Sequence, residues 1–128
     1  MDLNTFMKSY AEEINGNFSE YDDQRSVIVV PLDLDRQQAV VGEMDNDYNM
    51  VVISSKVCIA DEKIRFKELL EENHRSIYGK FTITNDFLKV ESKTHAEEVQ
   101  PETLKKTIQE IAKMADKWEM NITGRDIF

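Results

Sequence analysis

The sequence predicts an α+β fold in which three helices pack on one antiparallel sheet, in the order α-ββββ-α-ββ-α. Apolar residues recur at helical spacing in three separate stretches, and the stretches between them alternate with the period of two expected of strands. The turns joining those strands are short, which favours antiparallel neighbours over a parallel array. With 128 residues, 41% apolar and 32% charged, the chain has the size and composition of one globular domain, expected to span residues 1–128 around a single core.

Leu3, Phe6, Met7, Tyr10 and Ile14 recur at steps of three and four. They predict an amphipathic helix over about residues 2–15, with Gly16 placed to end it. Four strands are then expected, at Phe18 to Tyr21, Ser26 to Asp33, Gln38 to Asp45 and Tyr48 to Val57. Acidic turn residues separate them at Asp22-Asp23, Asp33 to Arg36 and Asp45 to Asp47. Pro31 lacks the N–H a ladder needs, so its strand is expected at an edge or a bulge.

Asp61 is placed to cap a second helix running to about Asn73, with Ile64, Phe66, Leu69 and Leu70 as its apolar residues. A hairpin follows, Tyr78 to Thr84 and Phe87 to Thr94 about an Asn85-Asp86 turn, with one buried and one wet face. Gly79, at the junction, suits a conformation closed to side chains or a close backbone approach. Pro101 fits the first position of a final helix. Leu104, Ile108, Ile111, Ala115, Trp118 and Ile122 then form its stripe until Gly124 stops it. No sustained flanking charge pattern supports a coiled-coil seam, so the stripe is assigned to the sheet.

The net charge of −9 lies wholly in residues 1–62, which hold 13 acids against 4 bases. Such a field disfavours nucleic acid and anionic membranes as partners. The acidic side chains either keep the chain soluble or face a partner with a basic segment. The lone Cys58 excludes an internal disulfide, and no apolar run spans a bilayer or reads as a secretory signal, so a cytoplasmic setting is expected.

Catalytic constellations are not found. His74, His95 and Cys58 lack zinc spacing, Cys58 reads as a buried thiol, and Asp45-Asn46-Asp47 lacks the rest of a calcium loop. The four glycines form no phosphate-binding loop, and paired acids such as Asp33 and Asp35 read as solvated charge. The expectation is a non-enzyme without metal or cofactor.

The segment from Asn73 through Gly79-Lys80-Phe81 to Ile83, with Phe87-Leu88-Lys89-Val90 and the final helix carrying Ala115-Asp116, resembles the YbjN-like family, whose fold is type III secretion chaperone-like. The resemblance covers about residues 62–123. It implies frequent homodimers and a role in binding other proteins, with no catalytic residues to carry over. The chain departs from it in having four early strands where secretion chaperones usually show three.

The leading expectation is therefore a chaperone-like or adaptor module that holds a segment of a partner protein along its sheet or in apolar grooves. The alternative is a small-ligand sensing domain with a pocket between the final helix and the sheet, lined by Trp118, Tyr78 and Met114. Ile64, Phe66, Leu69 and Leu70 occupy more of the second helix than one sheet face need cover, which makes them the candidate partner or homodimer surface.

Overall fold

A computed structural model describes residues 1–124 of the chain; the remaining four, included in the expected domain, lie outside the described residues. In chain order the elements are α1 (Leu3–Glu13), β1 (Asn17–Asp22), β2 (Arg25–Pro31), β3 (Gln37–Asp45), β4 (Met50–Ile59), α2 (Phe66–Arg75), β5 (Lys80–Thr84), β6 (Phe87–His95) and α3 (Pro101–Thr123), with a 3₁₀ turn at Ala96–Glu98 before α3. The strands form one sheet in the order β1-β2-β3-β4-β6-β5, each neighbouring pair antiparallel. This is the predicted α-ββββ-α-ββ-α layout. The chain leaves β4 through α2, forms the far edge as β5, and returns as β6 between β5 and β4.

All three helices contact the sheet, α1 along β1–β3, α3 along β3, β4 and β6, and α2 against β5. The core lies under α1 and α3, because alternate residues Ile28 and Val30, Val51 and Ile53, and Leu88 and Val90 all point to that side. A shift in the β4–β6 register between Lys56 and Cys58 lets both Val57 and Cys58 turn inward, as a bulge does. The stripe Leu104, Ile108, Ile111, Ala115 and Trp118 is buried as predicted. The buried face is wider than that stripe and also takes in Thr107, Ala112, Met114, Asp116 and Glu119. Gly124 ends α3 in the left-handed region (φ 72°), its N–H donating to the Met120 carbonyl at 2.9 Å.

Three boundary expectations are corrected. Asn15, at φ 58°, rather than Gly16, makes the left-handed turn after α1; an asparagine tolerates that region, and Gly16 instead passes under the Val29 carbonyl. β2 is an interior strand. Pro31 is accommodated because β1 stops opposite Val29, so no partner waits for the missing N–H. Asp61 caps a turn, accepting from the Lys63 N–H at 2.9 Å, while α2 begins only at Phe66 with Arg65 at its N-cap.

Candidate functional site

The four residues expected to form an apolar surface divide between core and solvent. Ile64 precedes α2 and is 5% exposed, and Leu69 is 2% exposed, so both belong to the core. Phe66 and Leu70 are 49% and 66% exposed and remain as an apolar patch on α2. The late start of α2 leaves Ile64 outside the helix, and within the helix Leu69 faces the core while Phe66 and Leu70, one turn apart, face away from it. The ligand pocket expected between α3 and the sheet is filled by its own lining. Trp118 and Met114 are buried, Trp118 meeting the Phe81 ring edge-on with centroids 5.9 Å apart. Tyr78 lies elsewhere, in a groove with Tyr10, Lys105 and Glu110.

Cys58 is buried, and that burial, then the Asp61 and Glu119 carboxylates, pushes its thiol above the ordinary range, the reverse of what a nucleophile needs. Among the described residues no three His, Cys, Asp or Glu side chains are placed to hold a metal, and no helix is long and apolar enough to cross a membrane. Asp116, 3% exposed at its side chain, takes Arg36 Nε at 2.9 Å and Nη2 at 2.8 Å, so the Ala115-Asp116 pair marks an ion pair between a buried carboxylate on α3 and a half-exposed arginine of the β2–β3 turn.

The two edges of the sheet differ. At β5, the Asn73 side chain of α2 takes the place of a further strand, its Oδ1 accepting from the Phe81 N–H at 2.7 Å and its Nδ2 donating to the Phe81 carbonyl at 3.4 Å. Lys80 Nζ donates to the Asn73 and Ser76 carbonyls at the C-terminal end of α2, both at 2.7 Å. Glu110 of α3 accepts from the consecutive N–H groups of Ile77, Tyr78 and Gly79 at 3.0, 2.7 and 2.7 Å. Burial pushes the Glu110 carboxyl up, but these three donors outweigh it and hold the group below the usual carboxylate range. Gly79 serves as a close approach: a Cβ there would lie 2.8 Å from both Ile111 and Val90.

β1 has no such cover. It pairs only with β2, and along its other side, among the described residues, only the Asp22 carbonyl is engaged, by Asn4 Nδ2 at 2.8 Å. Glu20, Asp22 and Asp23 make this edge acidic. Sequence reading missed both edges, because Asn73 and Glu110 act on backbone far from themselves and neither breaks a periodic pattern.

No family model matches the sequence, and no curated protein does. Solved structures share the fold. A chain of the ExsC–ExsE complex superposes with a TM-score of 0.66 at 16% identity, covering 94% of this chain and 92% of that one. A chain of the HopA1–SchA chaperone–effector complex gives 0.62 at 12% identity, covering 91% and 95%. The fold is thus type III secretion chaperone-like, as the resemblance in residues 62–123 implied.

Proposed function

We propose that the chain is a non-enzymatic protein-binding module, chaperone-like or adaptor, that holds an extended segment of a partner protein along the free edge of β1. The observation that carries this reading is the difference between the edges: β5 is closed by Asn73, whereas β1, six residues long, turns the backbone groups of alternate residues away from β2, with only the Asp22 carbonyl engaged among the described residues. An extended peptide gains affinity by completing such a row. The acidic side chains there select a segment carrying basic residues. The shared fold supports the reading, since both similar structures are complexes and one is of a chaperone with its effector. The YbjN-like resemblance points the same way through the partner-binding role it implies.

The setting is cytoplasmic, in keeping with the single free thiol. The working unit is a homodimer joined through Phe66 and Leu70, apolar side chains that a second copy would cover. Light scattering at micromolar concentration tests the dimer, because a mass near the single-chain 14.9 kDa rejects it. The partner reading is tested by affinity capture followed by hydrogen exchange on the captured complex. Amides of residues 17–22 should gain protection, and Glu20→Lys with Asp22→Lys should weaken capture. A complex in which β1 exchanges as fast as in the free chain refutes the edge as the site.

A further inference from the structure

The face of the sheet opposite the helices carries charges that the fold does not use. Register places Lys56 of β4 directly across from Lys89 of β6, and alternation turns both away from the core side occupied by Ser55 and Val90. Like charges opposed across an antiparallel pair destabilise the sheet. Among the described residues neither ammonium has an ion-pair partner. Lys56 Nζ lies 4.3 Å over the Phe87 ring, which holds one of the two in place. Lys93 stands on the same face opposite Val52. The acid that β4 and β6 add to that face is Glu91, which lies between Lys89 and Lys93 and offsets one of the three positive charges. An acidic chain thus presents a locally basic patch.

A groove lies beside the pair, lined by Val41, Lys56 and Lys89 and, on β1 to β3, by Asp22, Arg25 and Glu43, where Arg25 is balanced by Asp22 at 3.8 Å and by Glu43 directly opposite. At its Lys56 end β3 and β4 part. Their ladder runs from Asp45–Met50 only as far as Val41–Ser54. Beyond it side chains bridge the gap, Gln38 Nε2 donating to Ser55 Oγ at 2.8 Å and to the Lys56 carbonyl at 2.9 Å, and Ser55 Oγ donating to the Ala39 carbonyl at 2.6 Å. From β1 to β6 the groove crosses four strand spacings, about 19 Å, which is the reach of roughly five or six extended residues.

We propose that this groove binds a short, extended, acidic segment of a partner protein, with carboxylates on Lys56 and Lys89 and apolar side chains over Val41. Charge complementarity selects the occupant: a carboxylate relieves the lysine repulsion, whereas a basic segment adds to it. A nucleic acid fits worse, because a phosphate chain longer than the groove runs onto Glu43, Asp22 and the acidic remainder of the chain. The groove adjoins β1 through Asp22, but its two lysines lie on β4 and β6.

A fluorescein-labelled peptide alternating glutamate and valine, followed by anisotropy with the whole chain, tests the proposal. Binding is expected, weaker at about 200 mM than at about 20 mM salt. Lys56→Gln with Lys89→Gln should reduce it about fivefold, and the resonances of Ser54, Lys56 and Lys89 should shift on titration. The same double variant should melt at or above the parent temperature, since it removes a repulsion, so lost binding will not reflect lost folding. Glu20→Lys alone should leave this binding intact, which separates it from the β1 proposal, since Glu20 does not line the groove. Three results each overturn the idea: unchanged affinity in the lysine double variant, equal binding of a lysine–valine peptide, or tighter binding of a labelled single-stranded oligonucleotide.

Discussion

At one end of the sheet the β5–β6 hairpin turns on Asn85 and Asp86, both left-handed at φ 50° and 66°; at the other the β2–β3 hairpin turns on Leu34 and Asp35, at φ 60° and 58°. Asparagine and aspartate tolerate that region through local hydrogen bonding, whereas a leucine there is strained, and Leu34 is 84% exposed with little packing to offset the strain. The β5 end is closed by Asn73, Lys80 and Glu110, while the β1 end leaves backbone groups open. The difference teaches that this fold saturates one end with interactions and leaves the other unsatisfied, and unsatisfied or strained backbone is where binding free energy can still be gained.

The largest blow to the closed end should come from Ile111→Ala, because Ile111 is fully buried and packs on Gly79. A loss of about 2–5 kcal/mol is expected by chemical denaturation, and one below about 0.5 kcal/mol would mean that α3 does not anchor this end. Glu110→Ala should cost about 2 kcal/mol by releasing three donors from a charged acceptor. Its pH dependence has a definite sign. The folded carboxyl is held below its ordinary value, so its contribution is complete above the ordinary glutamate range and is lost as pH falls through the depressed folded pKa. The stability gap between the parent and Glu110→Gln should therefore narrow on acidification, and a gap that widens would contradict the assignment.

Asn73→Ala should cost about 1 kcal/mol and, more tellingly, give β5 a free edge resembling that of β1. Faster exchange of the Phe81 amide and a concentration-dependent rise in scattering mass are the expected signs; unchanged exchange would show that Asn73 does not close the edge. The smallest effect is a gain. Leu34→Asn should stabilise the chain by about 0.5–1 kcal/mol by relieving the left-handed leucine, and a lower melting temperature would show that Leu34 makes contacts outweighing its strain.

Periodicity and turn chemistry alone determined the three helices, the six strands, the Asn85-Asp86 turn, the Gly124 stop and the buried stripe of α3, because each depends on neighbours a few residues away. The interior place of β2 despite Pro31 depends on where β1 ends, and the place of Ile64 outside the second helix depends on where α2 begins. The closure of one edge by Asn73 requires α2 to end beside β5, and the opposition of Lys56 to Lys89 requires segments distant in sequence to meet. Tertiary structure decided these, since a strand's pattern records which face it buries and not which strand, or which side chain, lies beside it.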